Sequence, residues 1–325
     1  MNEASRVYVA GHRGLAGSAI ARALRARGHR AIIQRTHAEL DLTDQRAVAA
    51  FFAEQKPEFV VLAAAKVGGI LANSRFPAEF IEQNLAIQAN VIRESARHGV
   101  KRLVFLGSSC IYPRDCPQPI REEYLLTGPL EETNKAYAIA KIAGIETCAA
   151  YNSQYGTQFV CAMPTNLYGS GDNFDLESSH VLPALIRKAH EARVHGDSRM
   201  TAWGTGTPRR ELMSSDDLAD ACLLLMQREW SALAAAMPPG GLPLFNIGTG
   251  KDVTIAELVA LVCEVVGFRG TVEWDRAKPD GTPQKLLDVS RMASLGWKAG
   301  IPLKSGIAAA YQSFQEQLAR TAHEA

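Results

Sequence analysis

The feature that most constrains the fold is a glycine-rich turn near the start of the chain. The apolar run Arg6-Val7-Tyr8-Val9-Ala10 leads at once into Gly11-His12-Arg13-Gly14-Leu15-Ala16-Gly17, and a helical pattern continues to about Arg27. A glycine-spaced turn from a strand into a helix lets the backbone approach a pyrophosphate, whose charge the free amides of the helix N-terminus attract. The sequence therefore predicts a dinucleotide site here; the alternative is a merely flexible turn.

Beyond this turn, apolar runs alternate with helical stretches, which is typical of a parallel sheet with helices on both faces. We predict strands at 31–34, 59–62, 103–106 and 159–163 and helices at 45–54, 77–98 and 134–155. After Tyr168 the pattern loosens: we expect a helix at 181–193, a strand at 201–203, a polar loop at 204–210, a helix from about Ser215, a loop at 230–241 and a strand at 244–247. The predicted fold class is α/β, a Rossmann-type doubly wound parallel sheet with a smaller, discontinuous C-terminal substrate lobe.

Length and charge agree with an enzyme of this class. The chain has 325 residues, enough for a large domain and a smaller lobe, and we assign 1–169 and 212–248 to the dinucleotide-binding domain and 170–211 and 249–325 to the lobe. The net charge of +1 gives no support for a nucleic-acid or membrane partner. Without a membrane-length apolar run or a signal-peptide pattern, a cytoplasmic protein is expected. The six cysteines show no paired ligand spacing, so no metal is predicted.

The residues after the second predicted strand favour NADP(H) over NAD(H). In NAD sites an acidic residue at this place commonly binds the ribose 2′-hydroxyl, whereas a 2′-phosphate needs a cation. Here Ala31-Ile32-Ile33-Gln34 is followed by Arg35-Thr36-His37, and Arg13 in the glycine turn can add a second positive charge. The alternative is that these arginines are ordinary solvated surface residues.

Tyr137 and Lys141 are four residues apart in a predicted helix, so their side chains share one face. A nearby cation favours a phenolate and lowers the pKa of a tyrosine, which makes Tyr137 a candidate acid or base for ketone chemistry. Ser108 follows the predicted strand at 103–106, at the sheet edge where ligands bind in such folds. Alone, the Tyr-x-x-x-Lys spacing is common by chance; beside a dinucleotide turn it indicates a catalytic site.

With these motifs assembled, the chain resembles the extended short-chain dehydrogenase/reductase superfamily, and within it the GDP-L-fucose synthase family. The resemblance covers nearly the whole chain and is carried by the segments 10–14, 63–70, 107–113, 137–144, 164–169 and 278–283. The likeness to this particular family comes from Cys110, two residues after Ser108, combined with Ser179-His180-Val181 further along.

The resemblance implies a reaction: GDP-4-keto-6-deoxy-D-mannose is epimerised at C3 and C5 and then reduced at C4 by NADPH to GDP-L-fucose. Loss of a proton beside the ketone gives an enolate, which the hydroxyl groups of Ser108 and Tyr137 are suited to stabilise. Cys110 as thiolate is the candidate base and His180 as imidazolium the candidate acid. Tyr137 would protonate the C4 oxygen during reduction, while Lys141 would hold the nicotinamide ribose and tune Tyr137.

The same resemblance gives the predicted site residues. The catalytic set is Ser108, Cys110, Tyr137, Lys141 and His180. The predicted NADP(H)-binding residues are Gly11, Arg13, Gly14, Leu15, Gly17, Arg35, Asp41, Leu42, Leu106, Ser109, Lys141, Pro164, Leu167 and His180. For the GDP-sugar they are Lys188, Trp203, Arg210 and Asp280, with Lys188 and Arg210 suited to a pyrophosphate and Trp203 to an aromatic contact. Solvated basic residues and a buried aromatic are the alternatives.

Two departures from the family pattern leave the preferred sugar open, and a third bears on the strength of the 2′-phosphate site. Ser170-Gly171 stands where Pro-His is usual, Leu212-Met213-Ser214-Ser215 where Phe-Leu-His-Val is common, and His37 where a second arginine is frequent. The alternatives are therefore a related reductase or C4-epimerase in which Cys110 and His180 are only structural, a synthase for another GDP-deoxyhexose such as colitose, and a non-catalytic NADP-binding regulator. Superfamily analogy suggests a homodimer through the helices at 77–98 and 134–155.

Overall fold

The structure is a computed structural model that describes residues 1–176, 178–278 and 280–324. Its strands are β1 (Val7–Ala10), β2 (Ile32–Ile33), β3 (Phe59–Leu62), β4 (Arg102–Leu106), β5 (Phe159–Pro164), β6 (Asn166–Tyr168), β7 (Arg199–Trp203), β8 (Arg209–Ser214), β9 (Leu244–Ile247), β10 (Asp252–Thr254), β11 (Thr271–Asp275) and β12 (Gln284–Lys285). Its helices are α1 (Leu15–Ala26), α2 (Gln45–Gln55), α3 (Ile70–Arg75), α4 (Pro77–Arg97), α5 (Lys135–Tyr155), α6 (Val181–His195), α7 (Ser215–Gln227), α8 (Trp230–Ala235), α9 (Ile255–Val266), α10 (Ser290–Ser294) and α11 (Leu303–Glu324).

A six-stranded parallel sheet forms the centre of the molecule, in the order β2-β1-β3-β4-β5-β9. Helices α2, α4 and α5 cover one face, and α1 and α7 pack together on the other. Strands buried on both faces need apolar side chains throughout, which is why β1, β3, β4 and β5 read as nearly continuous apolar runs. The predicted doubly wound α/β fold is confirmed.

Smaller sheets lie beside the main one. Strand β8 pairs with β10, β12 and β6, and β7 pairs in parallel with β11. Helices α6, α9 and α11 enclose a separate apolar cluster beside these strands. The register sets Lys285 of β12 opposite Arg210 of β8, so residues distant in sequence become neighbours. The division into two domains at the predicted boundaries stays a prediction.

Two predicted loops contain regular structure. Residues 230–241 were expected to be a loop, but helix α8 forms there. The helix is held because Leu233 is fully buried and because the Arg102 guanidinium lies over the Trp230 ring, 5.5 Å from the ring centroid. Strand β8 begins at Arg209, inside the polar loop expected at 204–210, because β10 and β12 pair with it. In the described part of the chain, no helix is both long and apolar enough to cross a membrane.

Candidate active site

The glycine turn is built so that only glycine fits at two of its positions. Gly11 has φ +83°, and a Cβ there would lie 2.6 Å from the Ala64 nitrogen. A Cβ on Gly17 would overlap the Gly11 carbonyl, so α1 could not pack this close to β1. Gly14 precedes Leu15 at the start of α1, where no side chain caps the helix and the first turn carries no acidic residue. The first-turn amides therefore remain for a phosphate, and the turn fits a dinucleotide.

Most other predicted cofactor residues lie along the same edge of the sheet. Leu106 and Pro164 end β4 and β5, and Leu167 lies in the adjoining β6. Ser109 is buried in the turn after β4. Two residues lie further out, in the loop before α2: Leu42 is buried, and the Asp41 carboxylate accepts hydrogen bonds from the amide and hydroxyl of Thr43, both at 2.8 Å. The Asp41 carboxylate is thus already hydrogen-bonded within its own loop.

Ser108 and Cys110 occupy a tight turn directly after β4. Gly107 is required there because a Cβ would overlap the Met163 side chain. Ser108 is extended and precedes a short 3-10 turn at Ser109–Ile111, and its hydroxyl accepts the Cys110 amide at 3.5 Å. The turn therefore presents a hydroxyl and a thiol at the carboxyl end of a central strand, where parallel sheets bind ligands.

Tyr137 and Lys141 reach the same edge from α5. Lys141 is 3 % exposed, and its ammonium group donates a 2.8 Å hydrogen bond to the Leu106 carbonyl at the end of β4. It lies 5.7 Å from the Tyr137 ring centroid. Gly144 permits this close approach, since a Cβ there would lie 2.5 Å from the Phe105 ring. The predicted Tyr-x-x-x-Lys face thus points at the turn that holds Ser108 and Cys110.

The expected effect of Lys141 on Tyr137 is wrong for this structure. Burial raises the pKa of Tyr137 rather than lowering it, and the Cys110 thiol adds in the same direction. Burial also lowers the pKa of Lys141 to about 8. The reason is that the buried phenolate would lose its solvation while the ammonium group donates to a carbonyl. Tyr137 is therefore a neutral phenol, a form suited to donating a proton.

The ionised forms predicted for Cys110 and His180 are also not the resting ones. Burial raises the pKa of the Cys110 thiol, against the opposing influence of Lys285, the Ser108 hydroxyl and Lys141. His180 precedes α6, and burial followed by Lys285 lowers the pKa of its imidazole. Neutral thiol and neutral imidazole are favoured, because a partly enclosed cleft disfavours either charge.

Lys285 is a further candidate site residue, which the sequence reasoning missed. It acts electrostatically on both Cys110 and His180, and its own pKa is lowered by burial, opposed by the Cys110 thiol. Arg210, opposite it on β8, lowers that pKa further. Lys285 therefore links the predicted catalytic residues to the predicted sugar-binding ones. A lysine in a polar segment gives no local signal, and only the pairing of β12 with β8 places it here.

The predicted GDP-sugar residues form an exposed surface beside this lysine. Trp203 is 54 % exposed, and the ammonium groups of Lys188 and Lys278 lie 4.9 and 5.1 Å from its ring centroid. Lys278 was not predicted as a site residue. The Asp280 carboxylate accepts the Thr205 amide at 2.7 Å and its hydroxyl at 2.8 Å, so it holds the loop after β7. Pro279, within the motif at 278–283, lies outside the described residues.

The fold and this arrangement of hydroxyl, phenol and buried lysine define a class of nucleotide-dependent enzymes. A family model described as the NAD dependent epimerase/dehydratase family matches residues 7–236, and the chain belongs to that family. The chain is 55 % identical over 310 residues to GDP-L-fucose synthase 1 of Arabidopsis thaliana, covering 95 % of this chain and 93 % of the relative. It is 50 % identical over 311 residues to GDP-L-fucose synthase of Escherichia coli K12, covering 96 % and 97 %. The resemblance stated from the motifs is confirmed.

Other similar proteins act on different GDP-sugars by name. GDP-L-colitose synthase of Yersinia pseudotuberculosis is 36 % identical over 277 residues, covering 85 % of this chain and 87 % of the relative. A GDP-D-glycero-L-gluco-heptose synthase from Campylobacter jejuni, whose crystal structure was determined in the presence of NADPH, superposes with a TM-score of 0.91 at 40 % identity, covering 97 % and 99 % of the two chains.

Proposed function

We propose that this chain converts GDP-4-keto-6-deoxy-D-mannose to GDP-L-fucose, by epimerisation at C3 and C5 followed by NADPH-dependent reduction at C4. The observation that carries the proposal is the position of Cys110 and His180 around Lys285, beside Ser108, Tyr137 and Lys141. A reduction alone needs no thiol and imidazole, whereas an inversion needs a base and an acid. Relatives of 50 to 55 % identity that bear the synthase name support the same reaction.

In the epimerisation, Cys110 as thiolate removes the proton at C3 or C5, and the electron pair moves onto the C4 oxygen. The hydroxyl groups of Ser108 and Tyr137 donate to that oxygen and stabilise the enolate. His180 as imidazolium then delivers a proton to the opposite face, which inverts the carbon. Because the resting groups are neutral, the reactive pair forms when a proton passes from the thiol to the imidazole, and Lys285 stabilises the thiolate.

In the reduction, Tyr137 donates its phenolic proton to the C4 oxygen. NADPH supplies the hydride that C4 receives. Lys141 would hold the nicotinamide ribose and restore the Tyr137 proton, because its pKa of about 8 lets it exchange protons near neutrality. Ser108 keeps the carbonyl oriented through both halves of the reaction.

The nucleotide end of the substrate is assigned to the surface around Trp203. Lys188, Lys278 and Arg210 supply positive charge for the pyrophosphate, and the exposed indole supplies an aromatic face for the base. Asp280 supports this surface through Thr205. We assign 1–169 and 212–248 to the cofactor-binding domain and 170–211 and 249–325 to the substrate lobe.

We also infer a cytoplasmic homodimer. All six cysteines are free thiols, which supports a reducing compartment. Helices α4 and α5 pack side by side and carry the partly exposed apolar side chains Leu85 and Ile139, at 36 % and 40 % exposure. A twofold axis across these helices would bury both residues. Light scattering of the purified protein measures the assembly directly.

The test is deuterium incorporation at C3 and C5 of the keto sugar in deuterated water, together with identification of the product by NMR after NADPH is added. We expect exchange at both carbons and GDP-L-fucose as product. Cys110→Ala should reduce exchange at least a hundredfold while NADPH binding stays within twofold, because a lost base does not alter the cofactor site.

Cys116→Ala is the matched control, since this half-exposed thiol follows in the same loop and also lies near Lys285. It should leave both exchange and reduction intact. Reduction without exchange in the wild-type protein would show a GDP-hexose reductase and defeat the epimerase assignment. Cofactor binding without either reaction would leave the regulator hypothesis.

A further inference from the structure

Positive charge gathers at the carboxyl end of β2, where Arg13, Arg25 and Arg35 converge. We propose that Arg25 is a further specificity-determining residue: it supplies the third cation for the adenosine 2′-phosphate and so helps to select NADPH over NADH. The inference rests on the use of NADP(H) in the proposed function and is independent of the sugar chemistry.

The placement of Arg25 follows from a single side chain, Gln34. Arg25 lies in the last turn of α1, and its Nη2 donates to the Gln34 Oε1 at 2.8 Å. The Arg35 Nη1 donates to the main-chain carbonyl of the same Gln34, also at 2.8 Å. Gln34 follows β2, which pairs with β1, and the adenosine ribose of a dinucleotide lies at this place in such folds. The amide therefore holds Arg25 beside Arg35 at the ribose position.

Arg25 differs from the neighbouring arginines Arg22 and Arg27 by its lack of an acidic partner. Arg22 and Arg27 are paired with Asp216 and Asp220 on α7. Among the side chains that the structure describes, those of residues 1–69, 72–176, 178–278 and 280–320, no carboxylate oxygen lies within 4.0 Å of the guanidinium nitrogens of Arg13, Arg25 or Arg35. Guanidinium groups without a carboxylate partner, two of which donate to neutral oxygens of Gln34, are a suitable site for a phosphate.

The charge balance explains why a third cation matters. Glu39 accepts the Thr36 amide at 2.7 Å, and Thr36, Arg35 and Arg13 together lower its pKa, so it stays an anion beside the cluster. Arg13 and Arg35 against Glu39 leave one net positive charge, whereas a phosphate monoester carries about −2. Arg25 brings the cluster to the matching charge.

His37 does not provide this charge. Its side chain is 84 % exposed, and Nδ1 lies 3.9 Å from the Asp41 carboxylate, so the ring already faces an acidic partner. Arg25 approaches from α1 instead, and both it and Arg13 lower the pKa of His12, after the larger effect of burial. These two arginines thus act on one point in the glycine turn.

The experiment measures direct binding of NADPH and NADH by titration calorimetry, for the wild-type protein and for Arg25→Ala. We expect the NADPH dissociation constant to rise about three- to tenfold and that for NADH to change less than twofold. Arg27→Ala is the matched control, since it removes the same charge from the residue directly after α1, where the guanidinium faces Asp220. Gln34→Ala should give a smaller loss, specific to NADPH, because Arg25 is no longer held in place.

The outcomes separate this inference from the cofactor assignment. A wild-type preference for NADPH that survives Arg25→Ala intact would overturn the role of Arg25 alone. Equal weakening of both cofactors would also overturn it, since the arginine would then support the turn and not the phosphate. A wild-type protein that binds NADH as tightly as NADPH would contradict the NADP(H) assignment itself.

Discussion

The two sides of the catalytic cleft are built in different ways. On the cofactor side, short local segments position the reactive groups: Ser108 lies in the turn directly after β4, and Lys141 lies one helical turn from Tyr137, fixed by its bond to Leu106. On the lobe side, Lys285 and Arg210 meet only because two distant strands pair. Side chains positioned by a short local segment are held in one arrangement. Side chains brought together by two distant strands can be rearranged by substitutions in either strand.

A buried carboxylate holds the lobe side together. Glu211 is fully buried and accepts the amides of Gly250 at 2.8 Å and Leu287 at 2.9 Å, which ties β8 to the segment after β12. Burial raises its pKa, and these amides oppose the shift. One departure from the family pattern, Ser170-Gly171, also falls on this side, where the Ser170 hydroxyl lies 3.2 Å from the Ser313 hydroxyl of α11. Differences in sugar preference within the family are therefore expected on the lobe side.

The largest expected effect belongs to the cofactor side. Tyr137→Phe removes the proton donor for the C4 oxygen, and we expect the reduction rate to fall about 10²- to 10⁴-fold. Deuterium exchange at C3 and C5 should fall much less, because Ser108 still donates to the enolate oxygen. Single-turnover reduction and exchange, measured on the same preparation, give the two numbers.

Tyr155→Phe is the control for Tyr137→Phe, since Tyr155 is 62 % exposed and lies at the other end of the same helix, α5. Both rates should stay at the wild-type level. If exchange and reduction decline together in Tyr137→Phe, the phenol serves both half-reactions equally, and the division of roles is wrong.

A smaller effect tests the lobe side. Lys285 lowers the pKa of both Cys110 and His180, although burial is the larger influence on each. Lys285→Met should therefore move both limbs of the pH profile for exchange to higher pH. Exchange would fall about tenfold on the acidic side and rise on the alkaline side, with a similar maximum. Exchange rates from pH 5 to 10 measure this.

Lys298→Met, at an exposed position on the same C-terminal segment, should leave the profile unchanged. A profile for Lys285→Met that loses height without moving along the pH axis would mean that Lys285 binds the substrate and does not tune the thiol and imidazole.

The difference between the cofactor side and the lobe side also explains which features could be predicted from the sequence. The strands of the central sheet, the glycine turn and the Tyr137–Lys141 face are local patterns, and the structure places them together as expected. Lys285, Lys278 and Arg25 were missed because each depends on an element brought in from elsewhere in the chain. The predicted protonation states of Tyr137, Cys110 and His180 were also wrong. Burial decides these states, whereas the sequence shows only that a cation is near.

The smallest expected effect is on stability, in the loop that leads to His180. The Asp172 carboxylate is largely buried, one of its oxygens has no hydrogen-bond partner, and burial raises its pKa to about 6 despite the bond from Asn173. The carboxyl group is therefore neutral in the folded protein at pH values where it is ionised in the unfolded chain. Its contribution to stability is largest below about pH 4 and is lost as pH rises through 6.

Asp172→Asn should remove this penalty and stabilise the protein at pH 7 by about 1 to 2 kcal/mol, with about half that gain at pH 5. Denaturant unfolding at the two pH values measures it, and Asp197→Asn, at an exposed position, should change stability by less than about 0.5 kcal/mol. A gain that is the same at both pH values would point to packing and not to the charge. Loss of stability at pH 7 would mean that the Asp172 carboxylate stabilises the fold. The polar groups of the lobe side would then be as well hydrogen-bonded as those of the cofactor side.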